Sequence, residues 1–343
     1  MKKKNTVSDV RHFLQSEIIK VAGCTEPASV AYAFLVARRH LKRPFDPLTI
    51  KATLTASPEV LRNAATAMVP FLKRRGLRVV VAAGLSAKTD QYNLFPAVDR
   101  HITRILLRRR SWLKVKQSAR QRGVYIQAVL STPSELVSVV IQGHHDEIRS
   151  ITRNGKTIAC ASPKRQPSIG MAEIMTVVAK RDRRLEAMAR DFIVKQVRGH
   201  PALPLSKRVA SLIRARMCGA DSPIMTIVGS GNHGILLGVP LYELYRRKGS
   251  RILPAVLLTL LTVIHMTGKR SRISSDCGLA TKAAPALAAG MAFAQGATLK
   301  QITRLMDSVS RDLRGLKCHG ARASCGGKAE RVLGTVLAQV KTP

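Results

Sequence analysis

Four of the six cysteines lie in glycine-rich or turn-like stretches of the chain, where a thiol is available for chemistry. Cys277 stands at the opening of a helix rich in small residues, and a helix N-terminus favours the thiolate over the thiol. Thiolates are the ligands that iron–sulfur clusters require. The sequence therefore offers four candidate metal ligands: Cys24, Cys277, Cys318 and Cys325.

Each cysteine can also be an ordinary buried residue, because a free cysteine packs like a small hydrophobic side chain. Cys160, in a strand-like segment, and Cys218 both fit that interpretation. Cys318 and Cys325 have a Cys-x6-Cys spacing, which is neither a standard zinc spacing nor a ferredoxin spacing. Spacing alone therefore leaves both interpretations open.

A second motif, residues 229–234, reads Gly-Ser-Gly-Asn-His-Gly and predicts an anion-binding loop. Its glycines, Gly231 among them, expose backbone N–H groups that form nests for anions. Ser230 and Asn232 add side-chain donors, so these three residues are candidates for binding a substrate carboxylate. The alternative is a plain tight turn before a helix that begins at Ile235.

Two charged residues near these motifs are candidate catalytic groups. Glu26 follows Cys24 by two positions, so it could orient that thiol or act as a base. Its alternative role is in capping the helix that begins near Pro27. Lys328 could pair with a substrate carboxylate, whereas in a very basic chain a single lysine is ordinarily just solvated.

Taken together, four separated segments resemble the L-cysteine desulfidase family, which is similar to the α-domain of bacterial iron–sulfur L-serine dehydratases. The segments occur in the order of that family and are spread over most of the chain. They are Gly-Cys-Thr-Glu-Pro-Ala-Ser at 23–29, Gly-Ser-Gly-Asn-His-Gly-Ile at 229–235, Cys277-Gly278 leading into the Ala-rich helix to Gly290, and Cys318-His319-Gly320-Ala321 with Ser324, Cys325 and Lys328.

This resemblance implies a lyase that uses a [4Fe–4S] cluster. Three cysteine ligands would leave one iron open as a Lewis acid, which assists loss of the β-substituent from a small amino acid. The implied substrate is L-cysteine, giving pyruvate, ammonia and hydrogen sulfide, with L-serine as the alternative. Cys277 and Cys318 are the implied ligands common to both families. The desulfidase analogy favours Cys24 as the third ligand, and the dehydratase analogy favours Cys325.

At two places the chain differs from the family that it resembles. His319 stands where the family typically has Asp, and Asn63 to Pro70 lacks the glycines of a Val-Pro-Gly-Thr-Gly stretch. Because of these differences, a further hypothesis is that the chain is a catalytically degenerate, basic member of the family that binds nucleic acid.

The charge of the chain bears on that hypothesis. Its 58 Lys and Arg residues against 20 Asp and Glu give a net charge of +38, which favours non-specific association with nucleic acid or anionic surfaces. Nine basic residues between Arg100 and Arg122 form the densest cluster. Only 4% of residues are aromatic, so a base-stacking platform is poorly supplied, and a simple solvated basic face is the alternative.

The surrounding pattern predicts an α+β fold, in which a small α/β domain sits beside a larger, mainly helical domain that carries the cysteine motifs. Val7–Ile19 and Ala28–Leu41 are predicted helices. Ser57 and Pro58 signal a helix that runs to Arg75, and the apolar run Val79–Ala83 predicts a buried strand. Asn154-Gly155 predicts a hairpin turn.

We therefore expect N-terminal helices over residues 1–45 that pack on the helical domain, an α/β domain over 46–165 and an iron–sulfur domain over 166–343. The basic start of the chain is not followed by an apolar run, and the apolar segment Ile252–Met266 is shorter than the ~20 residues that a bilayer requires. We expect a cytoplasmic protein without a membrane segment, and a homo-oligomer is left open.

Overall fold

The structure, a computed structural model, describes residues 7–163 and 169–341. It contains a six-stranded mixed sheet with helices packed on it and a larger part built almost wholly from helices. The α+β fold predicted from the sequence is confirmed. The predicted boundary between residues 165 and 166, like the basic start of the chain, lies outside the described residues.

The sheet part, here called the α/β unit, follows two N-terminal helices and a short strand. Its elements and those before it are α1 Val7–Glu17, β1 Lys20–Val21, α2 Thr25–Arg39, β2 Lys51–Ala56, α3 Pro58–Thr66, α4 Leu77–Ser86, α5 Arg100–Arg108, β3 Leu113–Gln117, β4 Tyr125–Ser131, β5 Leu136–Gln142, β6 Ile148–Arg153 and β7 Lys156–Cys160.

The remaining residues form what we call the helical unit. Its elements are α6 Met171–Ala179, α7 Arg183–Val194, α8 Leu205–Met217, β8 Ile224–Met225, α9 Gly231–Lys248, α10 Leu253–Gly268, a π-helical turn Leu279–Ala283, α11 Ala284–Phe293, α12 Leu299–Asp312 and α13 Cys325–Lys341.

The sheet has the strand order β3-β2-β4-β5-β6-β7, with β2 and β3 parallel and the other neighbours antiparallel. Alternate residues of β4 and β5 are buried under α2, which is the spacing that a sheet with one covered face requires. The predicted hairpin joins β6 to β7, and both Asn154 and Gly155 have positive φ, as a tight turn between paired strands demands.

The prediction that Val79–Ala83 is a strand is wrong, because this segment lies in the buried helix α4. A short apolar run reads alike as a buried strand or a buried helix, and its valines favoured the strand. Tertiary packing determines that this segment is a helix and not a strand. Gly84 lies against the backbone of α2 so closely that a Cβ there would stand 2.1 Å from the oxygen of Ala31.

The helix that begins at Pro58 is shorter than predicted, since α3 ends at Thr66 and not at Arg75. Its start is confirmed, because Ser57 Oγ accepts a hydrogen bond from the N–H of Val60 and Pro58 occupies the first turn. Pro70 and two residues with positive φ, Phe71 and Lys73, explain why the helix does not continue.

The two N-terminal helices lie in different cores. Val10 and Leu14 of α1 belong to the helical core, whereas Phe34 and its neighbours in α2 belong to the core of the α/β unit. β1, between them, pairs antiparallel with β8. The start of α2 is thereby held beside the helical unit while its body packs on the sheet.

Most of the apolar segment Ile252–Met266 lies in α10, whose side chains are buried over almost its whole length. Gly231–Gly268, which contains α9 and α10, is long and apolar enough by length and composition to cross a membrane. Its most apolar window is 78% buried inside the protein, and core helices of soluble proteins pass the same test. The burial accounts for the apolar character.

Candidate functional site

All four candidate cysteines line one cavity of ≈ 110 Å³. The helical unit supplies Cys277, Cys318 and Cys325, and Cys24 comes from the start of α2. The structure thus brings together sulfur-bearing residues that are separated by up to three hundred positions in the sequence. The cavity is far smaller than the roughly 300–1,000 Å³ of an ordinary drug-sized ligand pocket, so it suits only a small substrate.

The backbone places Cys277 and Cys318 diagonally across a short antiparallel bridge. Asp276 and Lys317 form an isolated antiparallel bridge, and the N–H of Cys277 donates to the oxygen of Leu316 at 2.8 Å. The N–H of Cys318 donates in turn to the oxygen of Ser275 at 2.7 Å. Because both bonds involve the main chain, the proximity of the two thiols does not depend on a bound metal.

Cys325 reaches the same cavity from the first residue of α13. The chain turns back at Gly320, which has a φ of +92°, and Ala321 donates its N–H to Thr66 Oγ1 at the end of α3. The thiol of Cys325 donates to the oxygen of Gly320 at 3.6 Å. The loop between the two C-terminal cysteines is therefore anchored on the α/β unit.

Cys24 has different surroundings, because its thiol donates to Glu26 Oε2 at 2.9 Å. The same carboxylate accepts hydrogen bonds from Thr25 Oγ1 and from Asn63 Nδ2, the latter at 2.7 Å. Burial alone would raise the pKa of Glu26, but interaction with His145, in the acid range where that imidazole is protonated, and the hydrogen bonds from Cys24 and Asn63 lower it overall. Glu26 therefore holds Cys24 as an ionised, fully engaged acceptor.

Three thiols of the cavity, those of Cys24, Cys277 and Cys325, are kept protonated mainly by burial. Burial raises the pKa of Cys24 well above its usual value, with a further contribution from the charge of Glu26. Burial likewise raises the pKa of Cys277 and of Cys325, although the N–H groups of Leu279 and Ala280 oppose it at Cys277 and that of Arg322 opposes it at Cys325. A metal centre would supply the positive charge that lets such thiols ionise.

The loop at 229–234 forms the N-terminus of α9 and borders the same cavity. Ser230 caps the helix by accepting the N–H of His233 at 3.3 Å. Asn232 Oδ1 accepts a 2.8 Å hydrogen bond from Arg216 Nη1, so this side chain faces an arginine. The loop thus combines a helix N-terminus, which attracts anions, with a positioned guanidinium.

Two buried histidines also face the cavity. His145, in the turn between β5 and β6, has no hydrogen-bond partner for either ring nitrogen among the residues that the structure describes. Burial lowers its pKa to about 4, and burial together with the charge of Lys282 lowers the pKa of His233 to about 3. Both imidazoles are therefore neutral at physiological pH.

Three motif glycines leave room for these basic side chains. A Cβ at Gly229 would lie 2.2 Å from His145 Nδ1, one at Gly231 would lie 2.6 Å from Arg216 Cζ, and one at Gly278 would lie 2.6 Å from His233 Nε2. Real Cβ atoms do not approach so closely. We therefore attribute these glycines first to clearance and only then to exposed N–H groups.

Two further cations of the cavity are already engaged by the protein. Arg272 pairs through both terminal nitrogens with Glu17, which is buried at the end of α1, and also contacts His144 Nε2 at 2.9 Å. Lys282 Nζ donates to the oxygens of Ser271 and Arg272, both at 2.9 Å. Burial, helped by the charge of Arg272, lowers the pKa of Lys282 to about 8.

Some residues that the sequence singled out lie elsewhere. Lys328 does not border the cavity and donates to the oxygen of Lys317, and His319 is exposed. The interpretation of Cys160 and Cys218 as buried structural residues is wrong, because both are exposed. Cys160 ends the edge strand β7, and Cys218 follows the last turn of α8, where neither is covered.

The donor set fits an iron–sulfur cluster better than a single ion. Within residues 7–163 and 169–341, no three His, Cys, Asp or Glu side chains are arranged to hold one metal ion. A cluster makes a different demand, since each cysteine binds a separate iron and the sulfurs stand further apart. Four thiols border one cavity, and the charge of Cys318 influences the pKa of both Cys277 and Cys325, so the donors for a cluster are present.

Sequence reasoning missed His145, Arg216, His233, Arg272, Lys282 and Asn63, which all border the cavity. One signal was available for His145, since Gly-His-His-Asp-Glu at 143–147 concentrates titratable residues in a turn. Arg216 carries no such signal, because an arginine in the last turn of a helix is unremarkable in a chain with 58 Lys and Arg residues.

Comparison with known proteins agrees with this arrangement. The sequence model described as serine dehydratase alpha chain matches residues 115–338. Similar curated proteins carry only the name UPF0597 protein. One from Kosmotoga olearia is 25% identical and one from Methanocella arvoryzae 26%, each over 92% of this chain and 84% or 83% of its own length. A third, from Nitratidesulfovibrio vulgaris, is 26% identical over 96% of this chain and 88% of its own.

Proposed function

Because this chain belongs to the serine dehydratase alpha chain family, we propose that it is an iron–sulfur-dependent lyase that removes the β-substituent of a small amino acid. The observation that carries the proposal is the cavity, where thiols from three separate parts of the chain meet buried basic side chains. L-cysteine is the proposed substrate, with pyruvate, ammonia and hydrogen sulfide as products. L-serine, which would release water, is the alternative.

We propose Cys277, Cys318 and Cys325 as the ligands of a [4Fe–4S] cluster. Cys318 lies near enough to influence the charge of both other thiols, whereas Cys24 is hydrogen-bonded to Glu26. These contacts support Cys325 over Cys24 as the third ligand. A cluster held there would supply a Lewis-acidic iron that favours departure of the β-substituent.

The elimination also requires a base, and His145 is the group we propose. The α-proton moves to a ring nitrogen, and the electron pair of the C–H bond becomes the second Cα–Cβ bond. The bond from Cβ to sulfur breaks, and its electron pair leaves on the sulfur as hydrosulfide, which takes up a proton to give hydrogen sulfide. His145 is neutral at physiological pH, faces the cavity and has no hydrogen bond to either ring nitrogen from the described residues. Glu26, which already accepts from three side chains, is proposed to position Cys24.

The product of this step is aminoacrylate, which takes up water to give pyruvate and ammonia. No pyridoxal phosphate is required by this sequence of steps. The small cavity supports a substrate of the size of cysteine or serine over larger amino acids.

The test is anaerobic purification followed by iron and sulfide analysis and assays of sulfide and pyruvate release from L-cysteine and L-serine. Wild-type protein should be brown and active on one of the two. Cys277→Ala and Cys318→Ala should lose both iron and activity. Cys325→Ser should lose more iron than Cys24→Ser if Cys325 is the third ligand.

Cys160→Ala and Cys218→Ala are matched controls, since both thiols are exposed and outside the cavity. They should keep the iron content and the activity of the wild type. A colourless, iron-free wild-type protein, or equal iron loss in the control variants, would contradict the proposal.

A second function, non-specific binding of nucleic acid, is supported by a different observation. Of the nine basic residues between Arg100 and Arg122, all but Arg109 are exposed on α5, on the edge strand β3 and around them. Arg109 is half-buried and donates to the oxygens of Pro47 and Ile50. An exposed cluster of this kind can neutralise phosphates without reading sequence.

The salt dependence of RNA binding tests this second function. Arg104→Glu and Lys114→Glu should each weaken binding and reduce the slope of log K against log salt by about 1 if the residue contacts a phosphate. Lys300→Glu, an exposed change of the same charge on α12, is the control. Equal losses in all three variants would mean that only the net charge matters and that no such surface exists.

A further inference from the structure

Arg216 is a buried arginine with hydrogen-bonding capacity that the protein does not use. It lies in the last turn of α8, is only 5% exposed and borders the cavity. Nη1 donates to Asn232, but Nε and Nη2 are buried and have no partner within the described parts of the chain. Buried donors without acceptors are costly, so such a pair implies a ligand.

The two unused nitrogens define the shape of that ligand. Nε and Nη2 lie on one edge of the planar guanidinium and direct two parallel N–H groups, which match the two oxygens of a carboxylate. No carboxylate forms a salt bridge with Arg216 among the residues described, whereas Arg272 is paired with Glu17. Arg216 is thus a cavity cation that combines an uncompensated charge with unused N–H groups, whereas the Nζ of Lys282 already donates to two carbonyl oxygens.

The neighbouring loop holds this guanidinium in place. Asn232 fixes one terminal nitrogen, and Gly231 leaves the space through which the side chain passes, since a Cβ there would lie 2.6 Å from both Cζ and Nε. The N-terminus of α9, which Ser230 caps, faces the same cavity and adds a positive partial charge.

We propose that Arg216 binds the α-carboxylate of an amino-acid substrate through Nε and Nη2, with Asn232 and Gly231 as its positioning residues. The inference rests on the proposed lyase function and identifies the group that selects α-amino acids over amines and amides. The loop at 229–234 then acts chiefly by orienting Arg216 and not through direct side-chain contacts with the substrate.

Binding of L-alanine tests this assignment independently of turnover, because L-alanine has no β-substituent to lose. Isothermal titration of anaerobically purified protein should give weaker binding of L-alaninamide than of L-alanine, by about 10- to 100-fold. Arg216→Gln should weaken L-alanine binding by a similar factor and leave L-alaninamide binding unchanged, so that the two ligands become equal.

Further variants separate the role of the two parallel N–H groups of Arg216 from effects on folding and on overall charge. Arg216→Lys keeps the positive charge without the two parallel N–H groups. Its affinity for L-alanine should lie between those of wild type and Arg216→Gln. Gly231→Ala should weaken L-alanine binding although the arginine is still present. Arg214→Gln, an exposed arginine on the same helix, should leave binding unchanged.

The assignment is overturned if wild type does not bind L-alanine, if it binds both ligands equally, or if Arg214→Gln has the same effect as a folded Arg216 variant. A protein without lyase activity that still shows the Arg216-dependent preference would refute the proposed reaction and keep the carboxylate site.

Discussion

Replacement of Gly278 by alanine should destabilise the protein when residue 233 is histidine and stabilise it when residue 233 is alanine. Gly278 has a φ of −61° and a ψ of −27°, so its backbone is already helical and alanine should gain about 0.4–1 kcal/mol from the unfolded chain. Against that gain, the added methyl group would lie 2.6 Å from His233 Nε2 and 3.2 Å from Cε1.

The size of the penalty follows from the burial of His233, whose side chain is 4% exposed and has little room to withdraw. Overpacking of this kind costs about 1–3 kcal/mol, so Gly278→Ala should destabilise the wild-type protein by about 1–2 kcal/mol net. In a His233→Ala background the obstacle is gone, and the same change should stabilise by about 0.4–1 kcal/mol.

The assay is urea unfolding of the iron-free protein followed by far-UV circular dichroism, for both single variants and the double variant. Iron-free protein is used so that effects on metal binding at Cys277 do not enter. Gly327→Ala is the control, because Gly327 lies in helix α13 with nothing near its missing Cβ, so it should stabilise in both backgrounds. Equal effects of Gly278→Ala in the two backgrounds would refute the steric argument.

Three other outcomes are expected from the contacts of the site and the core. His145→Gln should lower turnover by about 10²–10⁴-fold, with iron content and L-alanine binding preserved; unchanged turnover would exclude His145 as the base. Glu26→Gln should lower the free energy of unfolding by about 1–3 kcal/mol at neutral pH. Because the folded pKa of Glu26 lies below its usual 4.5, this contribution is complete above pH 4.5 and is lost as the pH falls through the folded value, so denaturation curves of variant and wild type should converge in acid. Trp112 is 1% exposed in the core of the α/β unit, so Trp112→Ala should lower the free energy of unfolding, measured in urea, by about 3–5 kcal/mol. A loss below about 1 kcal/mol would contradict its place in the core.

The parts of the fold that depend on local chemistry could be predicted from the sequence. Asn154-Gly155 identified its hairpin because few other residues accept positive φ at both positions, and Ser57-Pro58 identified the start of α3 through a capping oxygen. Val79–Ala83 could not be assigned correctly, because the choice between strand and helix is made by the close packing of Gly84 on α2, a contact between distant parts of the chain.

The same distinction between local signals and contacts between distant parts of the chain applies to the site. The cysteines and the glycine motifs could be grouped only by family resemblance, since Cys318 follows Cys277 by 41 positions and nothing local signals the bridge that joins them. His145 and Arg216 could not be predicted, because they are distinguished by buried nitrogen atoms that have no hydrogen-bond partner among the described residues. Whether a polar atom finds a partner depends on the whole fold, and no residue pattern records it.

The clearance between the motif glycines and the basic side chains has an evolutionary consequence. Each pair shares a fixed volume, so enlargement of one member must be matched by reduction of the other. Homologues that carry a side chain at 229 or 278 should therefore carry a smaller or displaced group at 145 or 233, respectively, and a side chain at 231 should require changes at both 216 and 224. Substitutions at these sites should accumulate as coupled exchanges, and a glycine that has lost its bulky neighbour should be free to drift.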